Sequence, residues 1–473
     1  MRKGGRMISV DRDSTVPAYL QIYACMKADI LAGGYAAEEH LPSVRRLADE
    51  LHVSRNTVDR AYQQLYAEGF VRGVDRAGFY VEPSVFDVLE LSGSAPARKR
   101  PAPRQRMNPR KGFAYDFYYG DLPDELFPAR IWRKLANEAL LAPGSVNAYR
   151  DPLGSRGLRA ELARYLKQAR GVRCTADQVV IQSGIRDGLE RIAKLFDPSV
   201  DVVAVENPSL QSVRQVFANN GFKVAPLDVS SSEAFFADLE RSAAKLVYVT
   251  PSHQLPTGKT LPIADRLRLT YWAASHNAYI IEDDYDSEYR YRESPIPSLQ
   301  SLDALGRVVY TGTFSKILSP GLRTGYWVLP DDLLDLYVER FASYWCPVPW
   351  LTQEILERFF AEGHWARHVR RMVQLYKRKQ KRLVDALHDV FGDKVRIEGD
   401  SAGLHVWVHV DDKRSNRELE RLAASKGVGV YPNLRYWYDP TKADPSTMLI
   451  GYSCIPLERI EPGIRLLGEA WLS

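Results

Sequence analysis

The chain has little cysteine: four in 473 residues, Cys25, Cys174, Cys346 and Cys454, with no C-x-x-C pair among them. That excludes a disulfide framework and a zinc ribbon, and it fits a reducing, cytosolic compartment. No apolar run approaches the roughly 20 residues of a membrane span. The basic start, Met-Arg-Lys-Gly-Gly-Arg, is followed by no apolar core segment, so no secretory signal is expected. Neither sign of charge dominates, since 64 Lys and Arg face 59 Asp and Glu, a net of +5. The basic excess therefore has to act through its location.

That location is a stretch without acids. From Arg98 to Lys111, seven basic residues (Arg98, Lys99, Arg100, Arg104, Arg106, Arg110, Lys111) meet no Asp or Glu. Prolines at 96, 101, 103 and 109 exclude a continuous helix there. Such a segment cannot bury a core, and it predicts an extended linker over 83–112. Solvation alone and contact with DNA phosphates both account for its charge. It divides the chain into a head, 8–82, and a body, 113–473. The hydrophobic content of 45% is enough for the body to build a large core.

In the head, residues 17–32 read as an amphipathic helix ended by Gly33-Gly34. Ser43 is placed to cap a short helix from Val44, and Ser54 a second one from Arg55. On the second helix Val58, Ala61, Tyr62 and Leu65 form the apolar stripe. That leaves Arg55, Asn56, Thr57 and Arg60 at its N-terminal end and outer face, where a helix-turn-helix reads bases and phosphates. Phe70–Val81 reads as a two-stranded wing, with Arg72 and Arg76 able to reach the DNA backbone.

In the body, helical patterns alternate with short β-branched runs at Val179–Ile181, Val202–Val205, Leu246–Val249, Tyr279–Ile281 and Arg307–Tyr310. This is the pattern of an α/β fold with central, mostly parallel strands. The most informative segment is Tyr310-Thr-Gly-Thr-Phe-Ser-Lys-Ile-Leu-Ser-Pro-Gly-Leu-Arg-Thr-Gly-Tyr326. It places the Lys316 amine beside the hydroxyls of Thr313 and Ser315, with Arg323 seven residues on. An amine forms a Schiff base with an aldehyde, and hydroxyls with an arginine suit a phosphate. Together they describe a pocket for a phosphorylated aldehyde such as pyridoxal 5'-phosphate (PLP). Asp283, in Glu282-Asp-Asp-Tyr-Asp286, stands at a strand's C-terminal end, where a carboxylate keeps a pyridinium nitrogen protonated. Tyr285 is the candidate for the ring hydroxyl. Ser183, Gly184 and Ile185 open a helix and suit a phosphate, although an ordinary strand-to-helix turn explains them equally. Tyr248–Gly258 should supply groups on the ring-hydroxyl side. Tyr149 is a candidate to reach a neighbouring subunit's site. Arg435 is a candidate for an effector carboxylate, with structural stacking on Tyr436 or Trp437 as the alternative. No metal-ligand set is read.

Residues 15–82 resemble the winged-helix head of the GntR family of bacterial regulators. The resemblance is carried by Leu41-Pro-Ser-Val-Arg45 and Ser54-Arg-Asn-Thr-Val58, and it implies operator contacts by Arg45, Ser54, Arg55 and Thr57. His40 stands where a basic or small polar residue is expected. Residues 113–473 resemble the fold-type I aminotransferases, and the whole chain resembles the MocR subgroup of GntR regulators. Thr250-Pro-Ser-His-Gln-Leu-Pro-Thr-Gly258, Glu282–Glu288 and Gly312-Thr-Phe-Ser-Lys316 carry that likeness. It implies an internal aldimine of PLP at Lys316, Asp283 on the pyridinium, Tyr285 on its O3', and Thr313, Ser315 and Arg323 around the phosphate. It also implies a head-to-tail, domain-swapped homodimer. The implied function is a PLP-dependent transcriptional regulator of vitamin B6 synthesis or amino-compound metabolism. An active aminotransferase with an accessory DNA-binding head is the alternative. Three departures predict weak or absent transamination: Leu255 replaces an asparagine, Leu210 an aromatic residue, and Ile185-Arg186 a small residue and glutamine.

Overall fold

The computed structural model describes residues 8–85, 112–142, 146–199, 201–291 and 296–472. The basic stretch of the linker expected at 83–112 lies outside the described residues. The chain separates into two compact units, Met1–Met107 and Asn108–Ser473.

The first unit holds α1 (Ala18–Leu31), α2 (Val44–Leu51) and α3 (Arg55–Ala67), followed by the antiparallel pair β1 (Val71–Val74) and β2 (Gly78–Val81). Ser43 Oγ accepts from the Arg46 N–H, and Ser54 Oγ from the Thr57 N–H at 3.1 Å, so both short helices begin on a side-chain cap. The buried side chains of α3 are Val58, Ala61, Tyr62 and Leu65. They meet Ile22, Met26 and Ile30 of α1 and Leu47 of α2 in one small core. Tyr62 donates a hydrogen bond to the Pro42 carbonyl at 2.8 Å, which ties α3 to the segment before α2.

The second unit begins with β3 (Tyr115–Asp116), α4 (Ala129–Leu141) and α5 (Arg156–Arg170). Its central sheet contains β4 (Val179–Gln182), β5 (Val202–Asn207), β6 (Lys223–Asp228), β7 (Leu246–Val249), β8 (Tyr279–Asp283), β9 (Val308–Thr313) and β10 (Gly325–Val328), in the order β4-β10-β9-β8-β7-β5-β6. β10 runs antiparallel to β4 and β9, while the other neighbours are parallel. β4, β7 and β10 are buried along their whole length, as strands covered on both faces must be. The connecting helices are α6 (Ile185–Ala193), α7 (Gln211–Asn219), α8 (Ser232–Ser242) and α9 (Ile263–Ser275).

After α10 (Asp331–Phe341), α11 (Trp350–Ala361) and the long α12 (His364–Phe391), a smaller antiparallel sheet forms. It orders β11 (Val395–Glu398), β12 (His405–Val410), β15 (Thr447–Gly451) and β14 (Tyr431–Pro432) side by side. α13 (Asn416–Ser425) and α14 (Leu457–Trp471) complete it, and β13 (Val428–Gly429) pairs in parallel with β3. That pairing brings residues 115–121 back beside the C-terminal ends of the central strands. No helix among the described residues is long and apolar enough to cross a membrane.

Candidate cofactor site and DNA-reading helix

Lys316 lies just beyond the C-terminal end of β9. Its Nζ stands 4.2 Å from the ring centroid of Tyr119 and 3.4 Å from the Gly120 carbonyl. Burial lowers this amine to about 8, against the opposing pull of Asp286 and Asp283. A larger neutral fraction at physiological pH makes it a better nucleophile toward an aldehyde.

Asp283 ends β8 and is 7% exposed. The Tyr248 hydroxyl donates to its Oδ2. Burial pushes its carboxyl up to about 7, with the Asp284 and Asp286 charges adding to the effect and Lys316 opposing it. The next residue, Asp284, is committed elsewhere: its Oδ2 accepts from Arg170 Nε at 2.7 Å and from the Tyr310 hydroxyl at 2.6 Å. The acid offered to the Lys316 pocket from this pair is therefore Asp283.

Tyr285 rests on His253. Its hydroxyl lies 3.0 Å from both His253 Nδ1 and the His253 carbonyl, and Asp286 Oδ2 lies 2.8 Å from the same Nδ1. One ring N–H serves one carboxylate, so Nδ1 donates to Asp286 and the Tyr285 O–H donates to the carbonyl. His405 packs edge-on to Tyr119, with ring centroids 4.7 Å apart, and burial holds it well below its ordinary pKa, so it is neutral.

A candidate anion cradle opens at the start of α6. Gly184 is the cap residue, with φ +79°, and the orphan N–H groups of the first turn follow it. Arg323 Nη2 stands 3.4 Å from the Ser183 carbonyl, and a Cβ on Gly184 would come within 2.6 Å of that nitrogen. The Thr313 hydroxyl lies 3.0 Å from the Ser315 hydroxyl and accepts from the Ser315 N–H at 3.1 Å. Ser183, Gly184, Ile185, Thr313, Ser315 and Arg323 thus line the ends of β4 and β9, beside Lys316.

Tyr149 is 79% exposed and stacks on Trp345, with centroids 4.6 Å apart. Arg435 is exposed, donates to the Tyr436 hydroxyl at 3.0 Å, and lines a groove of about 540 Å³ with Arg214, Trp437 and Tyr438. Leu255 is buried in the main core that also takes in Tyr285. Tyr119 and His405 carry no local sequence signal, because β3 and β12 bring them in from distant parts of the chain. His253 and Tyr248 belong to the segment expected on the ring-hydroxyl side.

In the head, Arg45, Arg55, Asn56 and Arg60 are exposed and Thr57 is half-buried beside the Ser54 cap. The Arg60 guanidinium lies 4.2 Å over the Tyr19 ring. Arg72 pairs with Glu38 at 2.9 Å. His40 is a wing anchor, with Nε2 2.7 Å from the Ala77 carbonyl and its ring edge-on to Tyr80.

The fold and the site define the class. Residues 116–442 match the model of aminotransferase class I and II, and residues 18–81 match that of the bacterial regulatory proteins of the gntR family. The multiple substrate aminotransferase from Thermococcus profundus superposes with a TM-score of 0.69 at 25% identity, over 77% of this chain and 92% of that one. The uncharacterized HTH-type transcriptional regulator YdeL of Bacillus subtilis is 34% identical over 98% of each chain. The probable rhizopine catabolism regulatory protein MocR of Rhizobium meliloti is 33% identical over 99% of this chain and 96% of its own. The pyridoxine biosynthesis regulator PdxR of Corynebacterium glutamicum is 30% identical over 90% of this chain and 89% of its own. The chain belongs to the MocR subgroup of GntR-family transcriptional regulators, with an aminotransferase-like PLP domain.

The residues fit PLP. The glycine cradle with its arginine suits a phosphate, and Asp283 suits a protonated ring nitrogen. A half-buried amine of lowered pKa suits the aldehyde.

Proposed function

We propose that this protein is a PLP-responsive regulator of transcription, in which Lys316 captures the cofactor and its occupancy sets how the head binds operator DNA. The observation that carries the reading is the convergence of the Lys316 amine, Asp283 and the Gly184–Arg323 cradle in a chain that also carries an exposed recognition helix. PLP, when bound, supplies an aldehyde for amines and an electron-withdrawing ring.

The chain's own groups do the rest. Lys316 provides Nζ as the covalent anchor. Asp283 holds the proton on the ring nitrogen, and Tyr248 fixes the rotamer of that carboxylate. Arg323, Thr313, Ser315 and the N–H groups after Gly184 bind phosphate. Tyr285, held by His253, would serve the ring hydroxyl. Leu210 and Leu255 give apolar surface where a transaminase carries an aromatic residue and an amide. This favours holding the cofactor over cycling it. In the head, Ser54, Arg55, Asn56 and Thr57 start α3, with Arg45 and Arg60 flanking, and these residues contact the operator. Arg72 of the wing, which also pairs with Glu38, would reach the DNA backbone. The unit acts as a homodimer, in which exposed Leu141, Tyr149 and Trp345 offer apolar surface to a second copy. Arg435 would hold the carboxylate of an amino effector. The regulated genes belong to vitamin B6 or amino-compound metabolism, by analogy with PdxR and MocR.

Footprinting on the protein's own upstream region, with and without PLP, tests this. A PLP-dependent change in wild type that is lost in Lys316→Ala is expected. An unchanged footprint in wild type refutes ligand sensing.

A further inference from the structure

The loop Thr250–Gly258 has two faces. One carries His253, which holds Tyr285 and Asp286 beside Lys316. The other closes a second cavity of about 410 Å³ between the ends of β5 and β7, the start of α8 and the start of α9. Phe235, Phe236, Pro251 and Leu261 form its apolar walls, and Glu206 lies among its lining residues.

Glu206 is 5% exposed. Its Oε2 accepts from the Thr250 N–H at 3.1 Å, the Thr250 hydroxyl at 2.6 Å and the Gln254 amide at 3.4 Å. Every hydrogen bond described for this carboxylate falls on Oε2, and none falls on Oε1. A carboxylate in apolar surroundings is costly without a charged or hydrogen-bonding partner. The other ionisable residues of the wall do not supply one: Asp265 accepts from Ser232 Oγ at 2.6 Å and carries the same charge, and Lys259 is exposed.

We infer that this cavity is a binding site for a small organic cation, an amidinium or ammonium group on an apolar body, with Glu206 Oε1 as its anchor. The aromatic walls take the apolar body and the carboxylate takes the charge, the usual composition of a small-molecule site. Burial raises the Glu206 carboxyl to about 7, which agrees with a group that lacks a counter-charge. Because Thr250 and Gln254 bond to Glu206 directly, an occupant bears on the loop that also holds Tyr285.

Benzamidine is a suitable probe. Its amidinium pairs with a carboxylate through two parallel hydrogen bonds, and it is a poor competitor for the Lys316 carbonyl chemistry. Binding to the full-length, PLP-loaded protein is measured by calorimetry. Saturable binding to wild type is expected, weakened at least about tenfold in Ser230→Trp, in which an indole from the exposed rim fills the cavity, and in Glu206→Gln, each ~1.4 kcal/mol or more. Ser230→Trp should keep the visible absorbance of the lysine-bound cofactor. No binding to wild type, or equal binding to Ser230→Trp, overturns the site. The cofactor reading fails separately, by loss of that absorbance from wild type.

Discussion

Gly184→Ala tests the cofactor cradle most sharply, because its two costs fall on different measurements. The added methyl sits at φ +79° and ψ 172°, backbone space essentially reserved for glycine, where an L-residue pays about 1–3 kcal/mol. That strain is present with or without ligand and lowers the melting temperature of both forms. The second cost concerns the ligand. The new Cβ would stand 2.6 Å from Arg323 Nη2, so the guanidinium has to shift from its position beside the Ser183 carbonyl, which disturbs its aim at a phosphate. A charge-assisted hydrogen bond to phosphate is worth about 1.5–3 kcal/mol, so PLP should bind about 10- to 150-fold more weakly. Titration of the visible absorbance of the lysine-bound cofactor reads this directly, with Arg323→Lys as the parallel variant that loses the planar fork but keeps the charge. If Gly184→Ala binds PLP within about threefold of wild type while its melting temperature falls, then Arg323 does not serve the phosphate and the cradle is misassigned.

Lys316→Ala should abolish the visible absorbance while leaving operator binding by the head measurable, read by absorbance and gel shift on one preparation. The rate of PLP capture should rise with pH up to about 8 and level off above it, since the neutral amine is the reactive form and burial sets its pKa there; stopped-flow absorbance across pH 6–9 follows it. Asp284→Ala leaves Arg170 buried without its partner and should cost about 3–5 kcal/mol in denaturant melts. Ser54→Ala removes the cap of α3 and should cost about 1 kcal/mol. Arg55→Ala should weaken DNA binding and reduce the salt slope by about 1, measured by fluorescence anisotropy.

Much of this was legible because the informative residues are local. Lys316, Thr313, Ser315 and Arg323 fall within eleven consecutive residues, and the caps Ser43 and Ser54 announce α2 and α3 by type. The β-branched runs identified β4, β5, β7, β8 and β9. β6 escaped because it lies at the sheet edge and carries Pro226, which reads as a break. β10 escaped because Gly325-Tyr-Trp-Val328 looks like the tail of the lysine segment, and its antiparallel pairing on both sides is a property of the sheet. Tyr119 and His405 were invisible for a related reason. Each is an unremarkable residue locally, and only the pairing of β3 with β13 and of β12 with β15 brings its neighbourhood to the site. His40 looked like a departure from a DNA-contact pattern, yet its ring is spent on the wing.

The carboxyl of Asp283 has a consequence for the lifetime of the protein. Its proton affinity is raised from the ordinary 3.8 to about 7 by burial, so the folded body loses stability as pH rises from about 4 to about 7 and carries the full cost above that. A cationic ring nitrogen held against this carboxylate, as proposed, would remove that cost. The cofactor-free body would then be the form that opens more often, and proteolysis draws on opened chains. Scarcity of the cofactor would therefore thin the regulator's own population as well as change what the survivors bind, giving the cell a slow response in abundance beneath the fast one in occupancy.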